Sequence, residues 1–175
     1  MQILLHICCA NCAIYPLQML RRQNHEVTGF FFNHNIHPYQ EYRKRLETTQ
    51  DYAAQTGLAM IYDEPYRLDT FLANVAADPG ERCHYCYRSR LLETARRARQ
   101  LGVEGFTTTL LYSRYQKHQA IVAYGEQLAT EHGLVFHYED YRTGWNEGIR
   151  ISKEMGLYRQ QYCGCIYSER DRYQR

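Results

Sequence analysis

The sequence predicts an α/β fold with a mostly parallel sheet covered by helices on both faces, and three observations carry that expectation. Short apolar segments alternate with longer segments of helical periodicity along nearly the whole chain. Connections of that length bring the chain back to a parallel neighbour instead of reversing it in a hairpin. The apolar segments also run without polar alternation, FFF at 30–32 among them, as strands buried on both faces do.

The elements follow in order. Gln2 to Ile7 reads as a strand ending in cysteines, and Cys12 to Gln23 as a helix, with helical spacing of Ile14, Leu17, Met19 and Leu20. Val27 to Phe32 is a second strand, Asn33 to Pro38 a loop, and Tyr39 to Gln55 a charged amphipathic helix that Gly57 closes. Leu58 to Tyr62 is a third strand and Asp69 to Ala77 a helix, which the breaker Asp78-Pro79-Gly80 stops. Tyr85 to Leu101 is a long helix ended by Gly102; Phe106 to Leu111 a strand; Tyr115 to His132 a helix; Val135 to Tyr138 a strand; Asn146 to Met155 a helix. A chain of 175 residues organised this way, with no repeat or linker, makes a single domain over 1–175.

Composition narrows the function. Hydrophobic residues are 45% and charged residues 23% of the chain, a globular balance, and the net charge is only +2, so a grip on nucleic acid has to come from a local patch. No apolar run approaches the roughly 20 residues of a membrane helix, and MQILLHICC lacks the basic start of a signal peptide, so a cytoplasmic protein is expected. In a reducing compartment, seven clustered cysteines point to metal or redox chemistry and not to disulfides.

Those cysteines form three groups, Cys8-Cys9-x-x-Cys12, Cys83-x-x-Cys86 and Cys163-x-Cys165. Neighbouring thiols lower the entropy cost of gathering ligands around one metal, and thiolates favour zinc or iron-sulfur clusters. A structural zinc on Cys9, Cys12, Cys83 and Cys86 is one alternative, but the pairs lie much further apart than in a zinc ribbon and three thiols are left over. A redox pair at Cys83 and Cys86, or Cys8 as a buried strand end, leaves more of them unused. In parallel sheets the functional crevice lies beyond the carboxyl ends of the strands. Cys8 to Cys12, Asn33 to His37, Thr108 to Tyr115 and Asp140 to Thr143 all follow strands and should share that rim.

LLHICCANC at 4–12, FFFNHNIHPYQEYRKR at 30–45, RCHYCYRSRL at 82–91, FTTTLLYSRYQKH at 106–118 and GLYRQQYCGCIYSE at 156–169 together resemble the QueH family of cobalamin-independent epoxyqueuosine reductases. Asn11, where many members have proline, is read as a loop difference. The resemblance implies a fold similar to the adenine nucleotide alpha hydrolases (HUP or PP-loop-like). It implies removal of the epoxide oxygen from epoxyqueuosine at the tRNA wobble position, the last step of queuosine synthesis. It also implies a 4Fe-4S cluster beside a mononuclear iron. By position the cluster falls on Cys8, Cys9, Cys83 and Cys86, leaving Cys12, Cys163 and Cys165 for the second metal; spacing alone leaves Cys12 interchangeable with Cys8 or Cys9. No GxGxxG element is present, so an external ferredoxin or flavodoxin is expected to supply electrons, and no SGGxDS-like loop follows the first strand, so no ATP use is expected. A zinc-stabilised RNA-binding module without catalysis is the rival function.

Around the thiols, His37, Tyr162 and Ser113 are candidate catalytic groups, His37 as a proton donor on its loop or else as a cap of the following helix. Asn33, Thr109, Tyr115, Gln116, Arg88 and Arg159 are candidate substrate contacts, while His6 reads as a core histidine. Arg43, Lys44, Arg45, Arg90, Arg170, Arg172 and Arg175 are further phosphate contacts for tRNA. Arg96, Arg97 and Arg99 read as a solvated helix face. A tyrosine, Tyr87, Tyr112, Tyr158 or Tyr162, is expected to stack on the wobble base.

Overall fold

A computed structural model describes residues 1–174. Arg175, one of the expected phosphate contacts, lies outside the described residues. The strands are β1 (Gln2–His6), β2 (Glu26–Phe32), β3 (Ala59–Asp63), β4 (Gly105–Thr108) and β5 (Val135–Phe136). They form one sheet in the order β3-β2-β1-β4-β5, with every pairing parallel. The helices are α1 (Ala10–Arg22), α2 (Tyr39–Thr56), α3 (Leu68–Val75), α4 (Arg82–Leu101), α5 (His118–His132), α6 (Trp145–Glu154) and α7 (Ile166–Tyr173).

Successive side chains of β1 point to opposite faces, and each face has its own core. Leu4 packs with Phe30 and Phe106 against Leu91, Ala95 and Ala98 of α4. Ile3 and Leu5 pack against Ile14, Leu17 and Leu20 of α1 and Tyr52 of α2. The chain winds from β1 to β2 and β3 on one side, then to β4 and β5 on the other. The order therefore reverses between β1 and β4, and the carboxyl ends of those two strands flank the crevice.

Several boundaries differ from expectation. Helix α4 starts at Arg82, three residues before Tyr85, which puts Cys83 and Cys86 inside its first turns. Strand β4 ends at Thr108 because the Thr108 hydroxyl accepts the Leu110 N–H at 3.1 Å, turning Thr109–Tyr112 into a 3-10 turn. Helix α5 starts at His118, not Tyr115, and β5 is cut to two residues. Helix α7 is unforeseen: Ile166–Tyr173 has too few apolar positions to show a stripe.

Strand β5 approaches closely at Gly105, where an added Cβ would lie 2.6 Å from the Val135 carbonyl oxygen. Gly105→Ala should cost about 1–3 kcal/mol of stability by overpacking. This is checked as a lowered urea midpoint at unchanged m-value; an unchanged midpoint would mean that β5 yields freely.

Candidate metal centre and adjoining cavity

All three cysteine groups sit at helix N-termini. Cys8 and Cys9 follow β1, Cys9 is the N-cap of α1, and Cys12 lies in the first turn of that helix. Cys83 and Cys86 are in the first turns of α4. Cys165 caps α7, its Sγ accepting the Ser168 N–H at 3.3 Å, with Cys163 just ahead of it. Every cysteine is free. The partial positive charge at a helix N-terminus favours the thiolate. The sulfurs of Cys8, Cys9 and Cys12 all lie within 4.8 Å of one another, the one such group of potential metal ligands among the described residues.

Three thiols this close share charge unequally. Hydrogen bonding with Cys12 and Cys9 holds the Cys8 thiol well below its ordinary range, outweighing burial, and the Thr109 hydroxyl adds to it. Cys9 gains from a bond with Cys12, but its bond to Cys8 and its burial push it up to about 12. Cys12 is raised by its bonds to Cys8 and Cys9 and by burial. Of the three, Cys8 gives up its proton most readily and Cys9 and Cys12 hold theirs. Thr109 Oγ1 donates to Cys8 Sγ at 3.2 Å and accepts the Cys8 N–H at 3.1 Å, so its role is to hold a sulfur. The free hydroxyl expected to meet substrate is already engaged.

Two arginines expected to touch phosphate are instead buried among the thiols. Arg90 donates through Nη2 to Cys86 Sγ at 3.0 Å and through Nε to the Cys86 carbonyl at 3.1 Å. Among the described residues it has no carboxylate partner, and the charges it faces include Cys86, Cys8 and Cys163. A buried guanidinium without a carboxylate needs another anion, and the sulfur it bonds, Cys86, is pushed up to about 12 by burial although Arg90 pulls it down, so full compensation needs a thiolate there. Arg45 pairs with Glu41 at 2.7 Å on α2, and its other nitrogens donate to the carbonyls of Cys163 at 2.7 Å and Tyr162 at 2.9 Å. Tyr158 donates to the same Glu41 at 2.6 Å. This pair fastens the segment carrying Cys163 to α2.

A cavity of about 850 Å³ opens beside these thiols, lined by Cys8, Cys12 and Cys163 among others. Gln116 donates to Cys163 Sγ at 3.3 Å while its Oε1 accepts the Tyr87 hydroxyl at 2.8 Å. Gln160 donates to Cys9 Sγ at 3.1 Å. Asn11 lies in α1, not a loop, and its Nδ2 donates to the Tyr158 carbonyl at 2.8 Å and to Gln160 Oε1 at 2.9 Å, while its Oδ1 accepts the Ser152 hydroxyl.

These thiol groups and this cavity stand in a sequence whose residues 3–171 match the family model described as epoxyqueuosine reductase QueH. The chain belongs to the QueH family. It is 40% identical to the epoxyqueuosine reductase QueH of Dehalococcoides mccartyi over 98% of this chain and 94% of that one. It is 36% identical to the protein of the same name from Thermotoga maritima, over 95% of this chain and 89% of that one.

Within this QueH-family chain the remaining candidates divide. Ser113, Tyr115, Tyr162 and Arg159 line the cavity with Gln116. His37, the expected proton donor, is fully buried against Phe71 and does not line it. Its Nδ1 accepts the Ile166 N–H at 3.2 Å, so its Nε2 carries the proton and donates to the His34 carbonyl at 3.0 Å. Burial lowers its pKa further. It fastens the start of α7 to the β2 loop and has no proton to spare for a substrate. Asn33 is buried and donates to the Ile7 carbonyl at 2.9 Å. Arg88 is exposed and faces a separate hollow of about 300 Å³ with Val75 and Tyr124. His6 is a satisfied core histidine, bonded to Thr108 Oγ1 at 2.9 Å and the Phe32 carbonyl at 3.2 Å.

In metal-free protein, Cys8 should alkylate at lower pH than Cys9 or Cys12, because a lowered pKa leaves more thiolate at any given pH. Cys12→Ala should move the Cys8 profile upward; mass spectrometry after iodoacetamide pulses reads both, and equal rates for the three thiols would contradict the shared charge. Arg45→Met should cost about 3–5 kcal/mol, since Glu41 is left buried without its cation. The midpoint of denaturant unfolding checks this.

Proposed function

We propose that this chain is an epoxyqueuosine reductase, removing the epoxide oxygen at the wobble position of tRNA to leave the cyclopentene of queuosine. The observation that carries the reading is a single cavity onto which thiols from both ends of a QueH-family chain, Cys8, Cys12 and Cys163, open together. Its size falls in the range of small-molecule pockets, about 300–1,000 Å³.

The donor set fits iron held by sulfur. Seven free thiols are present, three of them converging, and N–H or O–H groups of Arg90, Gln116, Gln160 and Thr109 are aimed at sulfurs, as hydrogen bonds to cluster ligands are. In this reading Cys8, Cys9, Cys83 and Cys86 hold a 4Fe-4S cluster and Cys12, Cys163 and Cys165 a mononuclear iron. Cys12 stands beside Cys8 and Cys9, so the proposed division runs through one trio of neighbouring thiols. When bound, these centres supply Lewis acidity toward the epoxide oxygen and one-electron transfer.

The reaction takes up two electrons and two protons and releases water. The electrons come from a low-potential partner, a ferredoxin or flavodoxin. Ser113 Oγ accepts the Tyr115 N–H at 3.3 Å, which leaves its own proton free for an oxygen of the substrate. Tyr162 is pushed up to about 12 by burial and by Glu41 and keeps its proton at neutral pH, its hydroxyl bonded to the His37 carbonyl. Exposed Arg159 and Arg172 line the cavity and meet the phosphates beside the bound nucleotide. No helix of the described residues is long and apolar enough to cross a membrane; free thiols and a tRNA substrate suit the reducing cytoplasm.

The test is anaerobic purification with iron, zinc and acid-labile sulfide analysis, followed by turnover of epoxyqueuosine tRNA with a reduced donor. Iron, sulfide and turnover are expected; zinc without sulfide after reconstitution would leave an RNA-binding module and end the proposal. Cys83→Ala should lose the cluster, whereas Cys165→Ala should keep most of the cluster colour and lose turnover. A Cys165→Ala variant that still turns over would refute the division of cysteines.

A further inference from the structure

An aromatic group at the cavity mouth is used by none of the chemistry above. Tyr112 is buried, stacks on Trp145 with ring centroids 5.2 Å apart and 28° between planes, and donates to the Trp145 carbonyl at 3.0 Å. Tyr115 stands at 76° to Trp145, 5.7 Å away, and is 85% exposed, well beyond the next most exposed large apolar side chain, Tyr173 at 55%. The guanidinium of Arg114 lies 5.6 Å from the centre of the Trp145 ring. Tyr112 packs directly onto α6 at Gly148, where a Cβ would lie 2.3 Å from its hydroxyl. The outcome is a rigid indole, braced from the core, with a bare tyrosine and a cation beside it. Tyr115 and Trp145 line the same cavity as Cys8 and Cys163, and so do Arg159 and Arg172.

A bare aromatic of this kind costs solubility and adds nothing to the core. Every nucleobase has a flat face, and stacking on tyrosine, tryptophan or an arginine plane is the usual way to hold an unpaired one, with arginines at its phosphates. We propose that Tyr115, Trp145 and Arg114 form a stacking platform for an unpaired nucleobase next to the nucleotide that enters the thiol cavity. The occupant is single-stranded RNA, favoured by the surrounding arginines over an apolar peptide. The platform takes any base, because stacking does not read hydrogen-bonding edges. It rests on the tRNA reading and extends it from one nucleotide to two.

Trp145 is the only tryptophan of the chain, so its emission reports on the platform alone. The iron-loaded protein is titrated with an anticodon stem-loop RNA, intact or abasic at either neighbour of the wobble position, following Trp145 emission and the anisotropy of a labelled RNA. Intact RNA should shift the emission, and one of the two abasic RNAs should bind about tenfold more weakly. Tyr115→Ala, at a side chain too exposed to affect folding, should lose about the same tenfold on intact RNA and nothing further on that abasic RNA. Additive losses, or emission that RNA leaves unchanged, would overturn the platform. If turnover of epoxyqueuosine tRNA is normal in that case, the reductase reading survives without it. If the protein binds no stem-loop at all, both fall together.

Discussion

Sulfur brought to an interior as thiolate needs positive charge around it, and the fold is arranged to supply that charge at one edge. In a parallel α/β unit each crossover helix runs back against its strands, so its N-terminus, with unpaired N–H groups and positive dipole end, faces the carboxyl edge of the sheet. Helices α1 and α4 bring Cys8, Cys9, Cys12, Cys83 and Cys86 to that edge in this way. Helix α7 brings Cys165 from outside the sheet. Buried Arg90 and Arg45 add full charges.

The two arginines contribute differently. Arg45 is compensated by Glu41 whether or not metal is present, and what it adds is position: it ties the carbonyls of Tyr162 and Cys163 to α2. Arg90 has only Cys86 and its carbonyl within bonding distance, so its compensation depends on the charge state of sulfur. Were metal bound, folding and loading would be coupled through such a residue, because loading turns thiols into thiolates. Gln116 and Gln160 extend the same support, each joining a sulfur to a distant part of the chain. Beyond this polar shell the cavity changes character. Toward the thiols its wall is held by hydrogen bonds to sulfur; toward solvent it carries Tyr115, Arg159 and Arg172, which are exposed.

Much of this was legible from residue order. The first cysteine group follows a strand, so its place on the rim followed from strand direction; Cys83 and Cys86 start α4 earlier than expected, and Cys163 reaches the same cavity ahead of the unforeseen α7. Ser113, Tyr115, Gln116 and Arg159 were placed by being near those motifs and do line the cavity. The failures share one cause. Arg45 follows Arg43 and Lys44 in a basic run read as phosphate contacts, yet helix α2 turns it inward and those two outward. His37 has the local company of a proton donor, but both ring nitrogens are taken by backbone groups, one from the far end of the chain. Trp145 carried no motif, and Gln160 and Asn11 matter through bonds to distant partners.

The sequence by itself determined the parallel α/β architecture and the grouping of the cysteines, because hydrophobic periodicity and cysteine spacing are local properties that survive without coordinates. Tertiary structure decided which thiols meet, which arginines serve sulfur and which face solvent, and which histidine is spent on backbone. Those outcomes depend on burial and on partners brought from the other end of the chain, as when Arg45 meets Cys163 or Thr109 meets Cys8. No window of residues along the chain carries that information, since each such contact is made only when the sheet has closed around its crevice.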